Sequence, residues 1–333
     1  MKAKRLICPD VRRVEVEEFE LGPIPDDGIL VRNEYTAVSV GTEIYNWTYG
    51  SEPGGKRAFP RVTGYCNTGT VLDVGKDVPD LKPGDRIAGQ SSHASHAVLS
   101  GARGFYQNVP ENVSSRAAAF MVMGAIALHG VRVSRIELGE SVVVFGLGIV
   151  GQLAATLVHL SGGMPVIGVD LDDFRRQKAT SRGIDICFNP SEVDDLPTAV
   201  RDHCVEDGAN VVVEATGVPA VYPTAVKLAC AAGRVVALGS PRGTVEMDFL
   251  ADIHLREVSI LGAHQPKTPE ADHIYYRWAK HRERNLVMRL MSNGKLPVED
   301  LITHVAGPEQ CQEIYTMLAD NPKEVLGIVF AWD

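Results

Sequence analysis

The decapeptide VVVFGLGIVG, from Val142 to Gly151, constrains the fold of this chain more than any other stretch. A short run of β-branched and aromatic residues, typical of a buried strand, leads directly into glycines spaced G-x-G-x-x-G. The apolar segment QLAATLVHLSG follows and is typical of a helix. A glycine turn between a strand and a helix lets backbone amides approach a pyrophosphate at the positive end of the helix. The stretch therefore predicts a dinucleotide-binding βαβ unit.

An acidic residue in the expected place supports this prediction. Asp170 ends the segment PVIGVD, which predicts the second strand of the unit. A carboxylate there accepts hydrogen bonds from the adenine ribose hydroxyls and repels a 2′-phosphate, which favours NAD(H) over NADP(H). Arg175 and Arg176 lie close behind and would weaken that preference, although solvated helix residues are the alternative favoured for both. The predicted cofactor-binding residues are Gly146, Gly148, Ile149, Val150, Gly151, Asp170, Arg175, Thr216, Gly239 and Ser240. The alternative is a Rossmann-like domain that binds no cofactor.

The order of predicted elements indicates two domains, one of them inserted into the other. Short strands separated by turn residues fill the first third, and strands then alternate with helices, which predicts a parallel sheet. The segments ANVVVEATG and RVVALGS predict strands of that sheet, with VYPTAVKLACAAG as a helix between them. We therefore expect a catalytic domain from residues 1–117 and 264–333, and a dinucleotide-binding domain from residues 118–263.

Composition excludes several classes of function. The 333 residues are 45% hydrophobic with a net charge of −9, which argues against a nucleic-acid surface. No apolar run approaches the roughly 20 residues that span a bilayer, and the N-terminus lacks the pattern of an export signal. The six cysteines are scattered singly, without a CxxC pair. We expect a cytoplasmic protein with a small-molecule substrate, no nucleic-acid partner and no membrane partner.

Several motifs in fixed order resemble the medium-chain dehydrogenase/reductase superfamily, the alcohol-dehydrogenase-like proteins. The matching segments are VGTE (Val40–Glu43), VTGYCNTGTVLDVG (Val62–Gly75), LKPGDRI (Leu81–Ile87), GLGIVG, VEATG (Val213–Gly217), VVALGS (Val235–Ser240) and ILGA (Ile260–Ala263). The resemblance implies an α/β fold, with a GroES-like β-barrel catalytic domain plus a Rossmann doubly wound parallel sheet. It also implies that the cofactor lies between the domains, and that hydride passes between nicotinamide and a carbonyl or alcohol carbon. Members commonly dimerise through edge strands of the Rossmann sheet, here residues 245–263, so we expect a homodimer.

The zinc ligands of the resembling enzymes are replaced in this chain. Zinc-dependent members carry C-G-T-D, then G-H-E, then a Cys near the domain junction. Here Val40 replaces the first Cys, Tyr65 the His and about Val122 the last Cys, while Cys66 stands in place of the Glu. A hydrocarbon cannot coordinate zinc, and a phenol is a poor ligand at neutral pH. We therefore predict that the site holds no metal and that hydrogen-bond donors stabilise the substrate oxygen instead.

The candidate proton donors lie near the lost ligands. Tyr65 or the pair His93 and His96 is predicted to donate the proton, with Thr42 and Tyr45 as polar support. The alternative for Thr42 is a turn hydroxyl, and for Tyr45 a packed aromatic residue. The two histidines could also hold a metal with Glu43 or Cys66. Predicted contacts with substrate are Glu43, Trp47 and His264, with a structural role as the alternative for Glu43.

The segment HIYYRWAKHRER, from His273 to Arg284, interleaves cationic and aromatic residues. It would suit an anionic or sugar-like ligand, because aromatic faces pack on sugar rings and Arg binds carboxylates or phosphates. A solvated helix is the favoured alternative for this segment.

These observations favour a zinc-independent, NAD-dependent oxidoreductase that interconverts a secondary alcohol and a ketone, of a sugar, cyclitol or natural product. The motif VSVGTE looks like the branch of bacteriochlorophyllide hydroxyethyl dehydrogenase and its relatives. One alternative is a reductase of activated C=C bonds, as in zinc-free quinone and enoyl reductases. Another is a catalytically inactive nucleotide-binding protein.

Overall fold

The computed structural model describes residues 1–50, 59–100 and 106–332, which form two compact units. Unit 1 comprises Met1–Ala125 and Thr268–Asp333, and unit 2 comprises Ile126–Lys267. Both ends of the given chain therefore belong to unit 1. The domain boundaries expected after residue 117 and before residue 264 stay predictions. No helix in the described ranges is long and apolar enough to cross a membrane.

Strands and helices are numbered along the chain, and those of unit 2 alternate. Its strands are β9 (Val142–Phe145), β10 (Val166–Val169), β11 (Ile186–Phe188), β12 (Ala209–Glu214), β13 (Ala229–Ala237) and β14 (Ser259–Gly262). Its helices are α4 (Ile149–Leu160), α5 (Asp173–Thr180), α6 (Leu196–Arg201) and α7 (Tyr222–Leu228). The strands form one parallel sheet in the order β11-β10-β9-β12-β13-β14. Counted from β9, this is the order 3-2-1-4-5-6 of a doubly wound dinucleotide-binding fold, so the predicted Rossmann sheet is confirmed.

Burial on both faces explains the composition of these strands. All residues of β9 and β10 are buried, and both strands are rich in Val and Ile, as expected for a parallel sheet covered by helices. One prediction is wrong here, because the helix expected over VYPTAVKLACAAG ends at Leu228 and Ala229 begins β13. Pairing of β13 with both β12 and β14 overrides the helix propensity of its alanines.

Unit 1 is built mainly from antiparallel strands, as its short predicted strands indicate. Its strands are β1 (Lys2–Asp10), β2 (Arg13–Glu20), β3 (Ile29–Ala37), β4 (Arg61–Val62), β5 (Asn67–Val74), β6 (Arg86–Gly89), β7 (His96–Leu99), β8 (Tyr106–Asn108), β15 (Ile302–Ala306) and β16 (Gly327–Ala331). Within the described residues, β2-β1-β4 form one sheet and β15-β16-β3-β5-β6-β8 another, with β7 paired to β3. The predicted α/β class, with a sheet domain in addition to the Rossmann sheet, is confirmed.

The helices of unit 1 are α1 (Val40–Tyr49), α2 (Ser115–Ala118), α8 (Lys280–Ser292) and α9 (Cys311–Asp320), and α3 (Met121–Ser134) crosses the boundary between the units. Helix α1 carries the whole VGTE motif and directly follows β3. Side chains from α1, α9 and β16 share one hydrophobic cluster that includes Trp47, Tyr315 and Phe330. This packing fixes α1 against the end of the chain.

Candidate active site

The glycine turn of unit 2 requires glycine at two of its positions. Gly146 has φ +93°, a region that side chains other than glycine rarely adopt. A Cβ on Gly151 would lie 1.9 Å from the carbonyl oxygen of Gly146. Gly148, the N-cap of α4, has ordinary φ, and a Cβ there would meet no atom within 4 Å. The turn is therefore held tight at Gly146 and Gly151, and it is open above the helix N-terminus at Gly148.

The acid predicted from the sequence faces this turn. The Oδ2 atom of Asp170 accepts a hydrogen bond of 2.7 Å from the Leu147 amide inside the turn. Its Oδ1 atom accepts one of 2.9 Å from the Asp172 amide at the start of α5. Arg175 Nη1 lies 3.9 Å from Asp170 Oδ2, a distant ion pair. The carboxylate and the glycine turn thus form one local structure, with a cation at its edge.

A glutamine that the sequence analysis missed joins the turn to α5. Gln152 is buried, and its Nε2 atom donates to the carbonyl oxygens of Leu147 at 3.1 Å and Arg175 at 2.8 Å. Ile149 is buried in the first turn of the same helix, next to the half-buried Val150. An amide side chain directly after the last glycine of the motif is the signal that could have predicted this bridge.

The other predicted cofactor residues lie at the ends of β12 and β13. The buried Glu214 accepts hydrogen bonds from the Thr216 amide at 2.6 Å, from the Thr216 hydroxyl and from the Gly217 amide at 3.1 Å. Burial raises the pKa of Glu214, although these hydrogen bonds oppose the rise. A Cβ on Gly239, just before Ser240, would lie 2.2 Å from the Gly217 nitrogen. The two strand ends therefore touch backbone to backbone beside the turn.

In unit 1, Glu43 lies at the centre of a buried polar network. Its Oε1 atom accepts from the Ser39 amide at 2.7 Å. Its Oε2 atom accepts from the Thr63 hydroxyl at 2.9 Å and from the Tyr315 hydroxyl. His93 Nε2 lies 2.9 Å from the same Oε2 atom. Because every partner is itself buried, the geometry gives Glu43 a structural role, the alternative already open for it.

The charge state of Glu43 follows from these partners. Burial acts to raise the pKa of its carboxyl. Attraction to His93 and hydrogen bonds from His93, Tyr315 and the Ser39 amide outweigh burial, so the pKa lies below its ordinary value. Glu43 is therefore an anion at neutral pH.

The predicted donor role of His93 conflicts with its position. Its side chain is fully buried, with Nε2 on Glu43 and Nδ1 2.7 Å from the Thr36 hydroxyl. The Thr36 hydroxyl also accepts from Trp332 Nε1 at 2.9 Å. Both ring nitrogens of His93 are thus engaged inside unit 1, and neither is exposed to a substrate.

Tyr65 keeps the geometry of a donor. Its side chain is half-buried, and its hydroxyl donates to Ser39 Oγ at 2.5 Å. The side chain of Thr42 in α1 is near enough to act weakly on the pKa of this hydroxyl. Burial, together with the nearby Cys66 and Glu43, raises the pKa of Tyr65, so the phenol is protonated at neutral pH. Ser39, which the sequence analysis missed, links this hydroxyl cluster to the Glu43 network through its backbone amide.

The remaining candidates are not gathered at Tyr65 by any described contact. Trp47 is 1% exposed and packs edge-on against Tyr315 at 5.8 Å, so a substrate could reach its indole only if the core repacked. Tyr45 stacks with Tyr49 at 5.0 Å in α1. His96 lies on β7, where burial and then the charge of Arg32 lower its pKa, so less of its imidazole is protonated at neutral pH.

His264 is the last of the predicted substrate contacts. It is exposed and follows β14 in unit 2. The described part of the chain gives it no side-chain hydrogen bond, so its contact with substrate stays a prediction.

The residues present do not fit a catalytic zinc ion. Val40 begins α1, Val122 is buried in α3, and Tyr65 donates to a serine, so none of the three positions offers a thiolate or imidazole. Among residues 1–50, 59–100 and 106–332, no group of three His, Cys, Asp or Glu side chains is placed to hold a metal. The pair His93 and His96 likewise forms no such group with Glu43 or Cys66.

The segment HIYYRWAKHRER, for which a solvated helix was the favoured alternative, is helical only from Lys280 and is exposed or half-buried except at Ala279, Glu283 and Arg284. Arg284 in α8 is 1% exposed, and its Nη2 atom donates to Gln90 Oε1 at 2.7 Å. Burial lowers the pKa of Arg284 to about 10, although attraction to Cys66 and Glu283 opposes this. Arg284 is thus a cation at neutral pH, and it lies near Cys66, the neighbour of Tyr65 in the sequence.

Comparisons with known proteins show which families and structures this chain resembles. Residues 150–280 match the family model of the zinc-binding dehydrogenases. The D-guloside 3-dehydrogenase of Escherichia coli K12 is 24% identical over 352 residues, which cover 98% of this chain and 100% of that protein.

Two solved structures share the fold along almost the whole chain. A short chain alcohol dehydrogenase from Escherichia coli CFT073, complexed with NADH, has a TM-score of 0.83 at 18% identity and covers 99% of both chains. A protein from Sinorhizobium meliloti 1021, bound to NADP, has a TM-score of 0.81 at 22% identity with the same coverage. This chain therefore has the fold of these nicotinamide-binding proteins, and its residues 150–280 resemble the zinc-binding dehydrogenases in sequence.

Proposed function

We propose that this protein is a zinc-independent, NAD(H)-dependent oxidoreductase that interconverts a secondary alcohol and a ketone on a sugar, cyclitol or similar polyhydroxylated compound. The observation that carries the proposal is the contact between Asp170 and the Leu147 amide, which joins the ribose-binding acid to the glycine turn. The name of the D-guloside 3-dehydrogenase supports a polyhydroxylated substrate. When bound, the nicotinamide supplies or accepts the hydride.

Preference for NAD(H) rests on the charge of Asp170. A 2′-phosphate would lie close to this carboxylate and be repelled by it. The carboxylate is held in place because its oxygens accept hydrogen bonds from two backbone amides. Arg175, at 3.9 Å, is too far to neutralise it by a direct hydrogen bond. NADH should therefore bind more tightly than NADPH.

Binding of the two cofactors tests this directly. Thermal-shift titrations of the wild type and of Asp170→Asn should show a preference for NADH that the variant loses. Asp173→Asn, an exposed acid in the same helix start, is the matched control and should keep the preference. Tighter binding of NADPH by the wild type would overturn the NAD(H) assignment.

In the proposed reaction, Tyr65 replaces zinc as the group that stabilises the substrate oxygen. In reduction, the Tyr65 hydroxyl would give its proton to the substrate oxygen as that oxygen gains negative charge, and a proton from water would then return to Tyr65 through the hydroxyls of Ser39 and Thr42. Because its pKa is raised, Tyr65 holds this proton at neutral pH and is suited to reduction. In oxidation, the alcohol proton would have to leave through the same hydroxyls.

The experiment is the rate of reduction by Tyr65→Phe, followed by NADH absorbance over a panel of ketoses, oxidised cyclitols and hydroxyketones. General acid catalysis typically contributes about 10²–10⁴-fold, so kcat should fall by that factor while KM for NADH stays constant. Tyr49→Phe, an exposed tyrosine in α1, is the control and should keep full activity. A change in kcat of less than threefold in Tyr65→Phe would remove Tyr65 from the mechanism. Turnover of enones or quinones alone would favour the C=C reductase instead.

Zinc independence follows from the hydrocarbon and phenol at the former ligand positions. Metal analysis of protein purified without chelator should find far less than one zinc per chain, and treatment with a chelator should leave turnover unchanged. One zinc per chain, or loss of turnover that zinc restores, would show that the proposal is wrong on this point.

We also propose that two copies of this chain pair through β14. This strand is at one edge of the parallel sheet, and Phe249, Leu250, Leu255 and Ile260 are exposed large apolar side chains on or near it. An open edge with apolar neighbours is a ready surface for strand pairing. Sedimentation should give a dimer for the wild type and a monomer for Ile260→Lys. A monomeric wild type would refute the pairing.

A further inference from the structure

A groove on unit 1 is not used by the proposed reaction. It lies between β8, the loop at Asp80 and the exposed face of α8, and its volume is about 620 Å³. Sites for small organic ligands usually have about 300–1,000 Å³. The groove is therefore large enough for a sugar ring and its substituent.

One face of the helix region supplies most of the lining. Trp278, Asn285 and Arg289 line the groove, and Asn285 and Arg289 are four residues apart on α8. Glu283, Arg284 and Val287 on the same helix are buried instead. Helix α8 thus has a buried face and a groove face that carries an amide and a guanidinium, and the aromatic ring of Trp278 joins them from just before the helix.

The opposite wall completes a pattern suited to hydroxyl groups. Tyr106 and Gln107 of β8 and Asp80 face the groove. Planar amides, carboxylates and guanidinium groups can each hydrogen-bond two neighbouring hydroxyls. An aromatic face such as that of Trp278 covers the apolar C–H face of the ring.

The charges in the groove indicate an uncharged ligand. Arg282 donates to both carboxylate oxygens of Asp272, at 2.8 and 2.7 Å, so its charge is neutralised. His281 Nε2 lies 3.3 Å from the same Asp272. Asp80 and Arg289 then remain, with opposite charges. No ion pair of either residue occurs within the described ranges, so both are available to a ligand.

We propose that this groove binds a neutral pyranoside. The Trp278 ring would cover one face of the sugar, and Asn285, Arg289 and Asp80 would hold its hydroxyls. This inference does not depend on hydride transfer, since binding requires no nicotinamide.

The three tryptophans of the chain give a direct signal. Trp47 and Trp332 are 1% and 7% exposed, whereas the half-buried Trp278 lines the groove. Titration of the full chain with methyl glucoside, methyl galactoside and methyl mannoside, without nicotinamide, should change the fluorescence in a saturable way for at least one of them. Trp278→Phe should abolish that change.

Calorimetry with the same glycosides makes the test independent of fluorescence. Asn285→Ala should weaken binding roughly tenfold, since a lost hydrogen bond commonly has an effect of that size. Tyr65→Phe should bind as the wild type does. The absence of saturable binding would overturn the proposal. Binding that is lost in Tyr65→Phe but kept in Asn285→Ala would also overturn it, because the sugar would then lie at the catalytic residues and not in the groove.

Charged sugars test the electrostatic argument. Glucuronate and glucose 6-phosphate should bind more weakly than the neutral glycoside, and tighter binding of either would overturn the assignment to a neutral ligand. NADH turnover by Asn285→Ala should equal that of the wild type. Glycoside binding tests the groove and NADH turnover tests the proposed reaction, so failure of one proposal can be distinguished from failure of the other.

Discussion

His93 Nε2 lies 2.9 Å from Glu43 Oε2, and both side chains are buried. Glu43 lies in the first turn of α1, whereas His93 lies in the loop between β6 and β7. The same carboxylate also accepts from Thr63 and Tyr315. One anion thus ties together four separate segments of unit 1 beneath the hydroxyls of Ser39 and Tyr65.

Replacing this carboxylate should destabilise the protein. Glu43→Gln keeps the size of the side chain but removes the charge, so four buried partners lose their charged acceptor. Breaking a buried charged network costs about 3 kcal/mol, and we expect a fall of that size in the free energy of unfolding. Urea denaturation followed by circular dichroism measures it.

The exposed pair of Glu18 and Lys2 offers the control for this prediction. Their side chains are 66% and 77% exposed, at a distance of 3.7 Å. Glu18→Gln should change the free energy of unfolding by less than about 0.5 kcal/mol, because exposed ion pairs contribute little. Equal effects of the two substitutions would contradict the structural role of Glu43.

Stability at acid pH should depend on Glu43. Its pKa is lowered in the folded state, so its contribution is fully present above the ordinary value of 4.5 and is lost as pH falls through the folded value. The difference in free energy of unfolding between wild type and Glu43→Gln should therefore be constant near neutral pH and shrink below that value. A difference that grows on acidification would mean that the pKa is raised instead.

The two glycines of the turn should respond differently to alanine. Gly151→Ala should lower both stability and NADH affinity, because its Cβ would overlap the Gly146 carbonyl. Gly148→Ala should leave the melting temperature unchanged, since its φ of −63° and its surroundings admit a methyl group. It should still weaken NADH binding, because the backbone there is expected to approach the pyrophosphate.

Thermal shift with and without NADH separates these two effects. Gly41→Ala, whose added Cβ would likewise meet no atom within 4 Å, is the control and should lower neither property. Normal NADH binding by Gly148→Ala would mean that the pyrophosphate does not lie over this position.

Replacing the strained Ala232 in β13 by glycine should stabilise the protein. Ala232 has φ +56°, a left-handed conformation that is unfavourable by roughly 1–2 kcal/mol for a residue with a Cβ. Ala232→Gly should therefore raise the free energy of unfolding by about 1 kcal/mol, less the entropy that glycine loses on folding. Denaturation in urea measures the gain.

The neighbouring alanine shows whether this gain comes from φ. Ala231 is in the same strand, and its φ is not positive. Ala231→Gly should lower stability by roughly 0.5–1 kcal/mol. A loss of stability in both variants would contradict the strain at Ala232.

The sequence alone predicted the unit whose contacts are local. The strand, the glycine turn, the helix and Asp170 follow one another closely, so their spacing carries the geometry of the parallel sheet and its acid. The prediction was wrong over residues 229–233, where alanines favour a helix and the pairing of β13 with two neighbouring strands prevailed. Local propensity cannot reveal a strand whose partners lie elsewhere in the chain.

Tertiary structure alone decided which candidates of unit 1 remain accessible. The sequence left Tyr65 and His93 as alternative proton donors, and Glu43 as either a substrate contact or a structural residue. Only folding brings Tyr315, 272 residues from Glu43, onto its carboxylate, encloses His93 between Glu43 and Thr36, and leaves Tyr65 half-buried beside Ser39. The physical reason is that spacing determines short-range geometry, whereas burial and hydrogen-bond partners depend on how distant segments pack.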